Sequence, residues 1–424
     1  MKHKPKGNKS VICCLLGIFL LWGRGVSQNE IHSPYSSFGI GILSNAINIP
    51  QASMGGTAYA MQSAYFINYR NPASYIAFDS LSFIADAALS VVSSTLKSDL
   101  ISQKNSFARF NYLTIGIPLT KYWSTSAGIL PFSDVGYAIR DEQEEATYVY
   151  NGKGGLMQLY WGNAFRLGKG LSVGLNISYL FGDITHTRIA QIQGDNYLNS
   201  YIEQSRNTNG IYLSGGIQYF TDFSPVHQIG LGLTYESSAY IWVKNTMLSH
   251  LFSGEYNITS TTLEPVDTVQ SKGSMYIPST IGFGISYTYK KKLTVGADAT
   301  WQNWARYKCM GQSDSLQNNL NLSLGIQFIP DPLSNKFVKR VQLRAGARYS
   351  TGYLQIRETA VNDFGVTLGV GLPLRTFNSH SSINLMLEYG QMGTTKSQLV
   401  MQQYFRINVS FILQEKWYQR MKME

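Results

Sequence analysis

The chain has 424 residues, of which 35 are lysine or arginine and 25 are aspartate or glutamate. Only 14% of the residues are charged, well below the roughly 25% of an average soluble domain, whereas 39 are glycine and 28 are tyrosine. The formal charge is +10; after the first 27 residues the remaining excess of about +5 is spread along the chain without basic clusters, which gives no support to nucleic-acid binding. This composition indicates a protein whose surface does not face water everywhere.

The first 27 residues have the features of an export signal. Four lysines precede an apolar run over residues 11–22, which is shorter than the roughly 20 residues that a helix needs to cross a bilayer. We therefore predict a signal peptide over residues 1–27, cleaved after Ser27, rather than a membrane anchor. Its removal would leave 30 basic residues against 25 acidic ones and Cys309 as the sole cysteine, so no internal disulfide is expected.

Residues 28–80 follow the predicted signal peptide and are too long to be a simple leader into a first strand. They contain the glycine pair Gly55-Gly56 and the turn-forming pair Asn71-Pro72. If the rest of the chain forms a barrel, this segment is expected to fold into the lumen as a plug.

Fourteen segments after residue 80 alternate apolar residues with small or polar ones, which is the period of side chains on a β-strand. The clearest alternation extends from Leu171 to Phe181. The strands are predicted to begin near Leu81, Ala108, Trp123, Gly155, Leu171, Ile211, Gln228, Met275, Leu293, Asn319, Val338, Asp363, Ser381 and Tyr404.

Periodicity alone does not separate a soluble sandwich from a transmembrane barrel, but connection lengths do. Tight turns are predicted at 120–122, 168–170 and 290–292, whereas 140–153, 189–209 and 244–272 are predicted to be long loops. Up-and-down barrels have short periplasmic turns, long outer loops and an even number of strands, and closure leaves no unpaired amide in lipid.

We therefore predict an all-β fold, a transmembrane antiparallel up-and-down β-barrel of about 14 strands. The barrel is expected over residues 81–413, with a periplasmic C-terminal tail over 414–424. The predicted location is the outer membrane of a Gram-negative cell, where outer-membrane lipid and lipopolysaccharide would surround the wall.

The N-terminal segment carries two motifs with a family resemblance. Met54-Gly55-Gly56, followed by Asn71-Pro72-Ala73, resembles the signature of the FadL superfamily, the fatty-acid-transporter-like barrels that include PorV. The resemblance implies a plugged barrel of fourteen strands. It also implies either uptake of a hydrophobic small molecule or PorV-like docking of secreted or surface proteins.

Charged residues on the small-residue face of the predicted strands are candidate lumen residues. They are Asp298, Arg344, Arg348, Glu388 and Arg406. A charge on the lipid face costs roughly 2–4 kcal/mol near the midplane, so this placement predicts that they point inward. There they would pair with one another, hold the plug or contact a substrate.

Pro131 lies within the third predicted strand. Proline cannot donate a ladder hydrogen bond, so it marks an edge, a bulge or a break. In FadL-type transporters a kink in the third strand opens the wall sideways, and the resemblance therefore implies a candidate lateral opening at Pro131. A bulge or an early strand end is the alternative.

The sequence gives no support for an enzyme, because no acid–base pair or nucleophile motif emerges in a suitable context. The histidines after residue 27 are dispersed without ligand spacing, so neither a metal nor another cofactor is expected. Two functions stay open, a channel for hydrophobic molecules and a membrane-embedded docking or secretion-accessory protein.

Overall fold

The computed structural model describes residues 33–44, 47–98, 101–192, 194, 197–254, 264–375 and 380–416. The predicted signal peptide, residues 1–27, lies outside these residues. Antiparallel strands close into one barrel, since the first strand pairs with both the second and the last. The barrel strands are β1 Ser82–Lys97, β2 Ser102–Thr120, β3 Trp123–Glu142, β4 Ala146–Arg166, β5 Leu171–Ile192, β6 Asn199–Ser224, β7 His227–Glu236 continued by Ala239–Phe252, β8 Glu264–Ile277 continued by Thr280–Tyr289, β9 Leu293–Gln302, β10 Asn319–Phe328, β11 Gln342–Ser350, β12 Asp363–Arg375, β13 His380–Met392 and β14 Met401–Lys416.

This architecture confirms the predicted fold class and the count of fourteen strands. β14 continues to Lys416, beyond the predicted boundary at residue 413. The remainder of the predicted tail, residues 417–424, lies outside the described residues.

The remaining elements are short. The helices are Pro34–Ser37, Ile49–Ala52, Pro72–Ala77, Trp304–Arg306, Phe337–Arg340 and Lys396–Gln398, and the additional strands are Ile42–Leu43, Lys308–Cys309, Gln355–Ile356 and Thr359–Ala360. In the part of the chain that the structure describes, no helix is long and apolar enough to cross a membrane.

The outer wall is covered by apolar side chains and the inner wall by small and polar ones. On β5, Leu175, Ile177 and Tyr179 are 42–47% exposed, whereas Asn176 and Ser178 are buried. A soluble sheet would bury the first set and expose the second. The inverted order is typical of a barrel whose apolar face meets lipid.

The two ends of the barrel differ. Tight turns connect β2 to β3, β4 to β5, β6 to β7 and β8 to β9 at one end, termed the turn end. At the opposite, extended end, β3 to β6 are 20 to 26 residues long, whereas β9, β10 and β11 have 10, 10 and 9 residues. Because roughly 9–11 residues cross a bilayer, the long strands project well beyond it. We term this projecting sheet the wing; its residues are 137–142, 146–153, 183–192, 199–208, 243–252 and 264–274.

The wing corrects one prediction, because the three segments predicted to be long loops are largely paired strand. Most of 140–153, 189–209 and 244–272 continues the hydrogen-bonded ladders of β3 to β8. The outer face of the wing no longer meets lipid and carries many polar side chains, while Ile184 and Val243 are buried on its inner side. The apolar alternation that located the other strands is therefore missing although the backbone pairing continues.

Candidate functional site

The predicted plug motif Met54-Gly55-Gly56 lies directly on the inner wall. Gly55 has a positive φ of 69°, and a Cβ there would come within 2.5 Å of the backbone oxygens of Leu324 and Ala347. On the wall, a Cβ at Gly325 or Gly346 would come within 2.2 Å of the Met54 backbone. Glycine is thus required on both sides of this contact, because two backbones approach each other without intervening side chains.

Asp298, a predicted lumen charge on β9, anchors the same segment. Its Oδ2 accepts hydrogen bonds from the backbone N–H groups of Ala58 at 2.6 Å and Tyr59 at 2.9 Å. Three strands away on the same wall, the Gln218 side chain donates to the carbonyl of Tyr59 at 2.8 Å. Two side chains of the wall therefore hold one stretch of irregular backbone, and a charged acceptor makes the contact with Asp298 a strong one.

The second motif, Asn71-Pro72-Ala73, lies against β5 and β6. Asn71 caps the short helix Pro72–Ala77 and its Nδ2 donates to the carbonyls of Tyr59 at 2.7 Å and Ile217 at 3.3 Å. A Cβ at Gly174 would come within 2.4 Å of the Pro72 backbone. The motif is therefore a joint between the N-terminal segment and the wall.

Three other predicted lumen charges form one network near the extended end. Arg348 contacts Asp363 at 2.7 Å and Glu388 at 2.9 Å, and Arg406 contacts the second oxygen of Glu388 at 2.9 Å. The Glu388 side chain is only 2% exposed. Tyr404 accepts from Arg348 and donates to Asp363 at 2.8 Å. The network crosses β11 to β14 and ties the short strands together.

The fifth predicted charge, Arg344, is 5% exposed and lies apart from this network. Its guanidinium donates to the amide oxygens of Gln327 at 2.7 Å, Asn384 at 3.0 Å and Gln342. No carboxylate of the described residues pairs with it. Amide oxygens thus satisfy this buried cation.

Sequence reasoning missed Arg70 and Arg109. Arg70 lies in the irregular N-terminal segment, where parity gives no signal; its guanidinium is 3.7 Å from Glu236. Burial opposes its charge, but Tyr59 and Glu236 raise the pKa of Arg70 above its usual value. Arg109 points inward because a bulge in β2 opposite Ala88/Leu89 shifts the alternation by one residue, and no sequence signal marks that bulge.

The wall has a discontinuity between β2 and β3. Their ladder extends from Thr120↔Trp123 only to Leu113↔Ile129. Within the described residues 102–112 and 130–142, the two strands do not pair further. Pro131 lies two residues past the last pair, at a bulge in the β3–β4 ladder.

The free edge of β3 is partly occupied by the N-terminal segment. Ile42 pairs with Asp134 and Leu43 with Ser133 in antiparallel register. Backbone bonds from Ser44 to Phe132 at 2.9 Å and from Ser33 to Gly136 at 3.0 Å extend this pairing. The segment thus supplies a short substitute for the ladder that β2 no longer provides.

Two cavities lie above the N-terminal segment. One, of about 130 Å³, is bounded by Pro131 and Leu43, by Arg70 with Glu236, and by Trp304 and Tyr353 below the extended-end loops. The other, of about 80 Å³, contacts Asp298 and the arginine network. Polar and apolar side chains line both cavities in similar measure. The first includes Leu130, Phe132 and Trp304 and reaches the wall where the ladder stops.

The site offers no evident metal chemistry. Among the residues that the structure describes, no three His, Cys, Asp or Glu side chains converge to hold an ion. Tyr35, near the extended end, donates to the carbonyl of Val400, and burial raises the pKa of Tyr35 to about 12. It therefore stays neutral and acts as a fixed donor.

Solved structures with the same fold are transport proteins by their descriptions. A Pseudomonas aeruginosa FadL homologue has a TM-score of 0.60 and 10% identity, covering 89% of this chain and 100% of its own. The Pseudomonas putida toluene transporter TodX has a TM-score of 0.58 and 14% identity, covering 88% and 99%. For the Ralstonia pickettii toluene transporter TbuX the values are 0.56, 16%, 88% and 99%. At such identities the likeness concerns the fold alone.

No curated protein matches the sequence. A family model does: the model described as BamG matches residues 9–424, which is nearly the whole chain. The chain therefore belongs to the BamG family.

Proposed function

We propose that this protein is an outer-membrane channel through which hydrophobic small molecules leave sideways, between β2 and β3. The observation that carries the proposal is the end of the β2–β3 ladder at Leu113↔Ile129 together with the cavity behind it, whose lining includes Pro131. A solute released there enters the membrane without passing through a water-filled pore.

The size and lining of the cavity favour a small apolar solute. Its volume of about 130 Å³ is close to the roughly 150 Å³ of an apolar protein cavity that binds benzene. Leu130, Phe132 and Trp304 supply apolar contacts, and Arg70 with Glu236 supplies polar ones. The descriptions of TodX and TbuX as toluene transporters are consistent with a solute of this size.

The N-terminal segment acts in this proposal as plug and gate. Residues 47–78 occupy the turn-end half of the lumen. They are attached there by hydrogen bonds of Asp298 and Asn71 and by the close glycine contacts. Residues 42–43 lie on the edge of β3 beside the gap. Two ladder pairs are few enough to open and close, so their release would widen the exit while the anchored part stays in place.

A disulfide between the gate and β3 tests the proposal. Leu43 and Ser133 are a cross-strand pair without mutual backbone hydrogen bonds, since the neighbouring pair Ser44/Phe132 is bonded, and such pairs have the closer side chains. In a Cys309→Ser background, L43C/S133C should lower uptake of radiolabelled toluene by cells when oxidised. Reductant should restore uptake.

The matched control is a disulfide at Leu322 and Tyr349, a cross-strand pair between β10 and β11 far from the gap. It should leave uptake unchanged. If the L43C/S133C bridge forms completely and uptake does not fall, the solute does not leave past residues 42–43 and the gate is refuted.

A second function, PorV-like docking of secreted or surface proteins, is favoured by the wing. In the part of the chain that the structure describes, residues 264–273 pair with β7 on one side only, so their other edge offers N–H and C=O groups to an extended peptide. A transport channel has no need of such a projection.

Experiments in cells can distinguish transport from docking. We expect loss of the gene to abolish uptake of the tracer, and removal of the wing residues 138–151 alone to leave uptake intact. If uptake is unaffected by loss of the gene while surface proteins fail to appear, docking replaces transport as the function.

A further inference from the structure

The outer face of the wall changes abruptly from apolar to charged where the wing begins. Cross-strand partners share a face, so the pairing defines three successive rows. The first row consists of two pairs, Tyr276 with Tyr240 and Ile211 with Tyr179; the second is Ser274, Trp242, Asn209 and Phe181; the third is Lys272, Lys244, Asn207 and Asp183. One mixed row, which contains Trp242 and Phe181, therefore separates the last fully apolar row from a row of charged and amide side chains.

The aromatic side chains of these rows lie fully on the outside. Tyr240 and Trp242 are each 72% exposed, whereas Ile241 and Val243 between them are 1–2% exposed. The Tyr240 and Tyr276 rings lie 5.0 Å apart. Exposed Trp and Tyr at the edge of an apolar band are typical of the membrane–water interface. These rings place the headgroup level at the foot of the wing.

Directly above the rings, Lys244 and Lys272 face each other across the β7–β8 ladder. Both are exposed. Like charges at directly opposed positions destabilise a sheet, so the pair calls for an anion. Neither lysine forms an ion pair with any carboxylate that the structure describes.

The acid in the same row does not neutralise them. Asp183 is two strands away from Lys244, roughly 10 Å at the usual strand spacing, and it accepts a hydrogen bond from Asn207 at 2.7 Å. Lys308, which pairs with the aromatic row at Tyr276, adds a third exposed cation on the far side of β8. The patch is thus cationic above and aromatic below.

We propose that Lys244 and Lys272, with Lys308 beside them, bind the phosphate groups of a phosphorylated glycolipid in the outer leaflet. Tyr240, Trp242 and Tyr276 lie against its sugar and the first part of its acyl chains. The extended end faces outward because long extensions of such barrels lie outside the cell, and there the anionic lipid is a lipid A-type glycolipid. The binding site is independent of whether the lumen conducts a solute.

The test uses the mature full-length protein in uncharged detergent with fluorescent bis-phosphorylated lipid A as the probe. The variant K244Q/K272Q should bind it about 25-fold more weakly, since each lysine near an anionic lipid surface contributes roughly fivefold. K244R/K272R keeps both charges and should bind as the wild type does. K290Q/K291Q, which removes two lysines from the turn end, should also leave binding unchanged.

Three results would overturn the proposal. Lipid A stripped of its phosphates could bind as tightly as the intact lipid, inorganic phosphate at millimolar concentration could displace the lipid, or K244Q/K272Q could bind normally. The variant has a second readout that does not depend on lipid. In delipidated protein, loss of the opposed charges should raise the unfolding temperature slightly.

A lower unfolding temperature of K244Q/K272Q, together with loss of its heat-dependent gel shift, would indicate damaged folding. In that case the single variant K272Q, which also removes the repulsion, is used to measure binding.

Discussion

The two sides of the barrel wall are built on opposite principles. β9 to β13 are short, and their inner face carries charged contacts and close glycine contacts. Asp298 and Glu388 make the charged contacts and Gly346 a close one. β3 to β8 are long, continue as the wing and carry the free edge at Pro131. The comparison teaches that the short strands hold residues 54–59 of the N-terminal segment, whereas the long strands hold Asn71 but leave a free edge on β3 where residues 42–43 can move.

The largest effect is expected at the centre of the short side. Glu388→Gln removes the carboxylate that joins Arg348 to Arg406 and leaves buried cations without full compensation. Breaking such a pair costs roughly 3–5 kcal/mol, so the free energy of unfolding should fall by about that amount. Guanidinium unfolding in lipid vesicles, followed by tryptophan fluorescence, measures it.

The matched control lies in the wing. Glu142 contacts Arg140 at 2.7 Å, but their side chains are 68% and 62% exposed. Exposed pairs contribute only about 0–1 kcal/mol, so Glu142→Gln should leave stability almost unchanged. Equal losses for the two variants would contradict the division of the wall into a fixing side and a permissive side.

A smaller effect is expected for Asp298→Ala, which removes the acceptor for the N–H groups of Ala58 and Tyr59. Hydrogen bonds to a charged group contribute roughly 1.5–3 kcal/mol, so the N-terminal segment should detach more often. Single-channel recordings in planar bilayers should show brief openings, and deletion of residues 28–73 should raise the conductance permanently. Asp267→Ala, on the wing, is the control. An unchanged conductance in the deletion would mean that the segment does not block the lumen.

The smallest effect is expected on the permissive side, at Pro131. Pro131→Val supplies an N–H group that can pair, and one ladder hydrogen bond contributes about 1 kcal/mol. Uptake of toluene should therefore slow by no more than about fivefold. Pro373→Val, within the continuous ladder of β12 and β13, should not change uptake. If both substitutions slow uptake alike, the gap has no special role.

The same division explains what the sequence could predict. Where strands cross the membrane, lipid selects apolar side chains on the outer face and packing selects small or polar ones on the inner face. The predicted strand starts at Trp123, Leu171 and Leu293 agree with the structure. In the wing the outer face no longer meets lipid, so the starts of β4, β6 and β8 were placed too late. Parity alone led to the prediction that Asp298 and Glu388 point inward.

The residues that contact the inward-pointing charges could not be predicted from the sequence, for a physical reason. Parity gives the direction of a side chain but not the identity of the residue opposite to it, so the pairing of Asp298 with the backbone of Ala58 left no trace. Asp363 was noted only as the start of a strand, although its carboxylate pairs with Arg348. The register of β11 against β12 and the docking of the N-terminal segment, rather than local pattern, bring these groups together.

The contacts of the N-terminal segment also constrain the order in which the molecule can be assembled. The hydrogen bonds from Ala58 to Asp298 and from Gly55 to Thr367 join residues 240 and 312 positions apart in the chain. Closing loops of that length is costly before the intervening strands exist, so the segment made first is the part that docks last. Until β14 pairs with β1, the glycine-rich motif of the N-terminal segment has no complete wall to bind. During assembly these first residues must therefore stay undocked on the periplasmic side.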